Sequence, residues 1–272
     1  MKELEKKALK VRENIVEISK QGGCFIGASL SCADVILYLY DQYLNIDPNQ
    51  MDNIERDHFF LSKGHAVPAQ YGVFVEKGWL SKERLANHLK VNDHIYLHPN
   101  RNIKPVDFHS GSLGHGLPLA VGVAIDQKLR KLNSKSVVLM GDGESNEGSN
   151  WEALLVAQAY QLDNLIVIVD RNQFQANMKT EDLIPLEKLE EKFKSFGCAV
   201  KRGDGHSYDF IKNTFDSIPF ESKKPNVIIA DTVRGKGIPS IEARADRWFY
   251  QPDEAEAASF IQELQKNNAV LV

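Results

Sequence analysis

Residues 137–172 read VVLMGDGESNEGSNWEALLVAQAYQLDNLIVIVDRN, and this stretch decides the fold. Val137 to Met140 is an apolar run of strand length that turns sharply through Gly141-Asp142-Gly143. A helix-length segment follows from Glu147 to Gln161, with Trp151, Leu154, Leu155 and Ala159 spaced to form one inward apolar face. A second apolar run, Leu165 to Val169, ends in Asp170-Arg171-Asn172. The pattern predicts a β-α-β unit whose strands both end in oxygen-bearing side chains. Ligands of parallel sheets bind beyond the carboxyl ends of the strands, so Asp142 and Asn172 are expected together at the functional edge.

The chemistry of that pair points to a metal. A carboxylate and an amide oxygen are hard ligands, suited to magnesium or calcium and not to zinc. Two such ligands leave an octahedron open, and phosphates are the usual supply of the missing oxygens. The glycines flanking Asp142 let the turn bend and let a bulky ligand approach the backbone. No GxxxxGK[ST] segment is present, so an anion here would be neutralised through a bridging cation. Gly-Asp-Gly alone is more often just a turn, with Asn172 a cap; the second strand ending in Asn at this distance shifts the reading to a site.

The 272 residues suit one sizeable α/β domain, read as residues 1–272 with a C-terminal extension from about residue 240. Hydrophobic content of 43% and charged content of 26% are those of a soluble globular protein. A formal net charge of −4 and a pI near 6.1 leave no basic footprint for nucleic acid. No apolar run approaches a membrane span, and MKELEKKALKVREN is charged and helical in pattern, unlike a secretory signal. Cys24, Cys32 and Cys198 are odd in number and lack metal-ligand spacing. They read as reduced thiols, which places the protein in the cytoplasm.

Leu4, Ala8, Val11, Ile15 and Ile18 recur at helical spacing until Gly22-Gly23 stops the helix. Cys24 to Ser29 reads as a glycine-flexed loop, and Ser31-Cys32-Ala33-Asp34 as a capping box opening a helix through about Tyr43. Asp57 to Leu61 is a short strand candidate running into Ser62-Lys63-Gly64-His65-Ala66 and another helix. Residues 90–110 lack periodicity and carry His94, His98 and His109; a long irregular stretch in a compact domain is often functional. Ser110-Gly111-Ser112-Leu113-Gly114-His115-Gly116 is a glycine-rich turn before a helix from about Leu117 to Leu132, where glycines invite a ligand close to backbone groups. Further on, Leu186–Ser195, Ser207–Ser217 and Pro252–Gln265 read as helices, and Cys198–Lys201 and Val227–Ala230 as strands. Arg234-Gly235-Lys236-Gly237 is another loop at a strand end. Alternating strands and helices predict a doubly wound, mostly parallel sheet with helices on both faces.

Read together, these segments resemble the transketolase family over nearly the whole chain. Gly-Asp-Gly with Asn thirty residues after the Asp resembles the metal motif of the thiamine diphosphate-binding fold, in its PP domain. Leu61-Ser62-Lys63-Gly64-His65-Ala66, His98-Pro99, the 111–116 turn, GDGESNEG with its Glu147, Asp204-Gly205-His206 and Gly235-Lys236-Gly237 are similar to further family landmarks, in order. A complete transketolase is more than twice as long. The resemblance therefore implies the N-terminal subunit of a split transketolase, assembled as α2β2 and inactive without a separate C-terminal subunit.

The resemblance also implies roles. Asp142, the Asn172 amide oxygen and the Phe174 carbonyl would hold Mg²⁺, with Ca²⁺ or Mn²⁺ as substitutes. The ion would bridge the phosphates of thiamine diphosphate. Gly141, Gly143, Glu144 and Lys236 belong to the same expected cofactor set. Gly111 would offer its carbonyl to the aminopyrimidine, with Ser112 and Leu113 beside it. His65 would reach the diphosphate or face the substrate, and His98 would contact the sugar hydroxyls; both are the expected catalytic histidines. Glu147 would lie at a subunit contact. Lys63, Glu144 and Lys236 read equally as ligand contacts or as solvated loop charges, His94 and His109 as surface residues, and Trp248-Phe249-Tyr250 as packing.

Two positions depart from the family. Phe25, aligned back from Ala33-Asp34, stands where the family has a histidine, and so does Phe249 on a looser alignment. Both replacements remove a proton-handling group near the reacting carbons. The reading is thus ketol or acyl transfer on a sugar phosphate outside the usual pair, or on a modified sugar. Two alternatives are the α subunit of a 2-oxo acid dehydrogenase and a non-catalytic cofactor-binding homologue.

Overall fold

Along the strands, successive side chains enter two different cores, which is why the runs are apolar without alternation. The computed structural model describes residues 2–269. The chain opens with α1 (Lys2–Lys20), α2 (Ile26–Ser31) and α3 (Ala33–Tyr38), followed by β1 (His58–Leu61) and α4 (Val67–Glu76). Next come α5 (Gly116–Leu129), β2 (Ser136–Gly141), α6 (Gly148–Ala159) and β3 (Leu165–Arg171). A two-stranded hairpin, β4 (Phe174–Gln175) with β5 (Met178–Lys179), leads into α7 (Thr180–Leu183) and α8 (Leu189–Ser195). The chain continues through β6 (Ala199–Asp204), α9 (Tyr208–Phe215), β7 (Asn226–Asp231) and α10 (Glu254–Ala269). Five strands form one parallel sheet in the order β1-β2-β3-β7-β6, and the register pairs Gly141 with Asp170. The doubly wound α/β expectation is met, and the only antiparallel strand pair among the described residues is the hairpin β4–β5.

Leu61, Val137, Leu139, Ile166, Ile168 and Ile228 face a core shared with α1, α3, α4, α9 and α10. Phe60, Val138, Met140, Val167, Val169 and Ile229 face a second core under α5, α6 and α8. Leu4, Ala8, Val11, Ile15 and Ile18 are all buried, as the helical spacing predicts. Val138 and Val167 have no exposed surface; each fully buried side chain of this size contributes about 1.5–3 kcal/mol.

Four local expectations are corrected. Cys24–Ser29 is not a loop: helix α2 begins at Ile26. Ser31 does not cap, because its hydroxyl is taken by Ala28 O and Asp170; the predicted helix does run to Tyr43, its last turn widened to a π-helix over Leu39–Tyr43. Asp34 is drawn instead into a buried cluster with Arg12, His206 and Tyr208. Finally, α6 buries Ala153, Leu154 and Ala157, leaving Leu155 and Ala159 exposed. The inward face runs through Asn150, Ala153, Leu154 and Ala157, with Trp151 packed at its edge, so the apolar stripe is turned from the predicted one by about one residue. Among the described residues no helix is long and apolar enough to cross a membrane.

Candidate active site at the strand ends

The register brings Asp142 and Asn172 to adjoining strand ends, and both line one cavity with Lys63, His65, Leu113, Arg234 and Trp248. Asp142 is buried, and its two oxygens have different partners. Oδ2 accepts from Arg171 Nη1 at 2.8 Å, Gln173 N at 2.7 Å and Thr180 Oγ1 at 3.3 Å. Oδ1 accepts only the Gly143 N–H, at 2.8 Å. Burial pushes the Asp142 carboxyl above its usual range, assisted by the negative Asp170 and opposed by Arg171. Asn172 donates its amide nitrogen to Asp170 Oδ2 at 2.8 Å, which turns Oδ1 the other way, where it accepts Phe174 N at 3.0 Å.

Asp170, the last but one residue of β3, is the hub of a second buried group. It pairs with Lys63 and accepts from Ser31 at 2.7 Å and Thr232 at 2.5 Å. Burial alone would raise its carboxyl, but the Lys63 charge and these donors outweigh that and hold it below the usual range. Lys63 and Glu144 are therefore not solvated loop charges; each is about 1–2% exposed. Glu144 lines the cavity but directs its carboxylate at protein: it accepts from Ser62, from Gly114 N at 2.9 Å and from Gly141 N at 3.3 Å. One buried carboxylate thus ties together the end of β1, the 111–116 turn and the end of β2. Ser149 holds the same turn by donating to Gly114 O at 2.7 Å.

Above this polar floor stands an aromatic wall. Phe25 lies 5.4 Å from His65, 6.3 Å from His98, 4.8 Å from Trp248 and 5.2 Å from Phe249, centroid to centroid. Backbone bonds in both directions between Cys24 and Tyr250, at 3.0 and 2.9 Å, clip the two distant segments together. Trp248 is 4.8 Å from His65 and lines the cavity, so the tryptophan is not packing alone. Burial, then the positive Lys63, hold the His65 imidazole well below its ordinary value; burial also lowers His98. Both are neutral near pH 7 and available as proton acceptors.

Of the expected site residues, His65, Leu113, Gly141, Asp142, Gly143, Glu144, Asn172 and Phe174 share the cavity. His98 is brought beside Gly111, where a side chain would meet its ring at 3.1 Å, and Gly111 (φ +152°) and Ser112 line the cleft on the far side of the turn. His94, His109 and Glu147 are exposed or half-exposed, away from the cavity lining. Lys236 is not brought to the cavity: it lines a separate one with Arg12, Asp34 and His206. Its place is taken by Arg234. Gly235 has φ +80°, and a Cβ there would approach Ile241 O to 2.7 Å, so the chain reverses and sends Lys236 elsewhere. Arg234 is 1% exposed and lies over the Phe174 and Trp248 rings; Nη1 donates to Ala176 O at 2.6 Å, while Nε and Nη2 have no hydrogen-bond partner among the described residues. Burial brings its guanidinium down to about 10. The strand-end rule applied to β7 points to the first cation after Asp231, and that signal was in the sequence.

A buried cation with two unpartnered donors calls for an anion. Among the described residues no three His, Cys, Asp or Glu side chains gather to hold a metal. The candidate ligands are one carboxylate, one amide and one carbonyl, a hard oxygen set that an anionic ligand would complete. The residues fit a divalent cation and a diphosphate together.

Comparison with known proteins accords with that chemistry. Residues 7–248 match the family model described as transketolase, thiamine diphosphate binding domain. The chain is 36% identical to an apulose-4-phosphate transketolase subunit of Phocaeicola vulgatus, over 97% of each chain. It is 39% identical to the protein of the same name from Actinobacillus succinogenes, over 94% of each. It is 35% identical to a 6-deoxy-6-sulfo-D-fructose transketolase subunit of Clostridium sp., covering 93% of this chain and 92% of that one. Among solved structures, the transketolase of Campylobacter jejuni superposes with a TM-score of 0.86 at 25% identity, over 99% of this chain and 48% of that one. The chain spans about half the length of that solved transketolase. With its family model, its full-length relatives and its strand-end site in agreement, the chain belongs to the transketolase family as a thiamine diphosphate-binding section.

Proposed function

We propose that this chain is the N-terminal subunit of a split transketolase, working with a separate C-terminal subunit on a modified sugar. The observation that carries the reading is the cavity itself: oxygen-bearing groups at two strand ends, faced by Arg234, two of whose nitrogens have no hydrogen-bond partner among the described residues. Asp142, Asn172 and the Phe174 carbonyl would hold Mg²⁺, and Arg234 would take diphosphate oxygens. Thiamine diphosphate, when bound, would supply a nucleophilic carbon in a thiazolium ring that serves as electron sink for two-carbon transfer. His65 and His98, neutral and at the wall, would accept protons from substrate hydroxyls. The Glu144 clasp fixes the turn bearing Gly111, Ser112 and Leu113, the residues that would meet the aminopyrimidine.

The cavity encloses about 210 Å³, below the roughly 300–1,000 Å³ of a typical ligand site. That size suits half a site, completed by a partner, and the relatives are themselves named as subunits. The α2β2 assembly and a cytoplasmic location belong to the same reading. The substrate argument rests on the rings behind the lining: Phe25 packs on the lining residues His65 and Trp248 and on Phe249, and neither phenylalanine offers a hydrogen bond, so the reacting end of the substrate would meet a less polar surface. Relatives named for apulose 4-phosphate and for a sulfo sugar accord with a substrate outside the usual pair. Likeness to transketolase subunits over the whole chain favours this reading over a 2-oxo acid dehydrogenase subunit.

The test is co-expression with a C-terminal transketolase half from the same genome, followed by ketol-transfer assays with thiamine diphosphate and Mg²⁺. Transfer only with the pair, on a modified sugar, is the expected result. No binding of thiamine diphosphate to the pair by calorimetry would sink the reading. Robust turnover of xylulose 5-phosphate with ribose 5-phosphate would remove its substrate part.

A further inference from the structure

The buried residue that this reading leaves without a role is Arg171, the last residue of β3. Its side chain is 4% exposed and sits directly behind the candidate cation site. Nη1 donates to Asp142 Oδ2 at 2.8 Å, Nη2 to Glu181 at 2.7 Å, and Nε to Glu187 at 3.3 Å. A guanidinium locked onto a metal-binding carboxylate has two consequences. It occupies Oδ2, together with Gln173 N and Thr180, so Oδ1 is left as the oxygen that faces an ion. It also neutralises the one carboxylate among the three candidate ligands. Counted over the buried groups of the cavity floor, the carboxylates Asp142, Asp170 and Glu144 stand against the cations Lys63, Arg171 and Arg234. The fully buried groups balance to zero; Glu181 and Glu187, which share the Arg171 charge, are about a third exposed and screened by solvent, so a bare dication finds little net attraction there.

We propose that Arg171 is a positioning residue that makes cation loading conditional on an anionic ligand. It aims Asp142 through a single oxygen and cancels its charge, so a divalent ion is held only when a diphosphate brings its own negative oxygens. The proposal rests on the cofactor reading above. It differs from that reading in assigning the order of loading to one side chain of this protein. Without Arg171 the floor would carry one net negative charge, enough to hold a bare ion.

The test is Mn²⁺ binding to the chain assembled with its C-terminal partner subunit, followed by electron paramagnetic resonance with and without inorganic pyrophosphate. Protein-free titrations correct for the Mn²⁺–pyrophosphate complex. In the wild type, pyrophosphate should tighten Mn²⁺ by about tenfold or more, the size of an ordinary coupling between sites. Arg171→Met should bind bare Mn²⁺ about tenfold more tightly and lose most of the pyrophosphate effect, while Arg171→Lys, which keeps the charge, should retain it. Unchanged coupling in Arg171→Met, or weaker binding of bare Mn²⁺, would overturn the proposal alone. Failure of the wild type to bind Mn²⁺ with either pyrophosphate or thiamine diphosphate would overturn the cofactor reading as well. Should Arg171→Met not fold by circular dichroism, Glu181→Gln serves instead. Glu181 is 37% exposed and shares the Arg171 charge, so its loss should weaken bare Mn²⁺ about twofold, and no change would count against the proposal.

Discussion

The floor of the cavity and its wall follow opposite plans. On the floor, Lys63 with Asp170 and Arg171 with Asp142 are ionic pairs with almost no exposed surface, their remaining valences filled by Ser31, Thr232, Gln173 N and Thr180. On the wall, Phe25 meets His65, Trp248 and Phe249 by ring edges and faces alone. Buried ion pairs are costly unless every partner is present, so the floor tolerates little change. Aromatic contacts are less directional, and the wall can change shape at small cost. The difference teaches where the common chemistry and the particular substrate reside. On the proposed function, the floor would serve a cation and a diphosphate, and the wall what is transferred.

The comparison is best broken from the floor. Asp142→Asn removes the candidate carboxylate ligand and leaves Arg171 paired only with the partly exposed Glu181 and Glu187; cofactor affinity by calorimetry should fall about a hundredfold, and loss of the buried charged hydrogen bond should destabilise the fold by about 1–3 kcal/mol. Arg234→Met should weaken thiamine diphosphate about thirtyfold, as expected for a charged hydrogen-bonding group. Because that cation is buried without a partner for two of its nitrogens, the same variant should melt no lower than wild type. A large drop in melting temperature would show that Arg234 is structural.

The wall should respond to pH more than to charge reversal. His65 has its folded value well below the ordinary 6.5, so the unfolded chain binds the proton more readily. Stability is then fully present above pH 6.5 and declines as pH falls below it, by at most about 1.4 kcal/mol per pH unit for one group. Urea midpoints between pH 7.5 and 5.5 should show this slope, and His65→Gln should flatten it. Phe25→His, placing an imidazole among Trp248, Phe249 and His98, should change the ratio of kcat/KM between sugar acceptors by about tenfold, with cofactor affinity unchanged. Lys236→Ala should alter cofactor affinity less than about twofold, as a surface change away from the cavity does. An effect as large as that of Arg234→Met would return Lys236 to the site.

Much of the floor was legible in the residues themselves. Strand-length apolar runs fixed β2 and β3, the strand-end rule placed Asp142 and Asn172, and family spacing added His65 and the 111–116 turn. What misled was local. Ser31 and Asp34 fit a capping box by spacing, but Asp170 claims one and Arg12 with His206 the other. Leu155 and Ala159 fit an inward face by spacing from Trp151, but α6 packs through Ala153, Leu154 and Ala157. Burial also distinguishes Arg234 from Lys236, two cations two residues apart in the same glycine loop.

By itself, then, the sequence of this chain determined the order of its five parallel strands and main helices, and the oxygen-bearing side chains at two strand ends. These follow from periodicity and from residue chemistry, which are local properties. Only the tertiary structure decided which cation enters the cavity, how Arg171 occupies Asp142, and how the Cys24–Tyr250 bridge sets Phe25 against Trp248 and Phe249. Those outcomes depend on contacts between residues tens to hundreds of positions apart, where burial decides which polar group must find which partner.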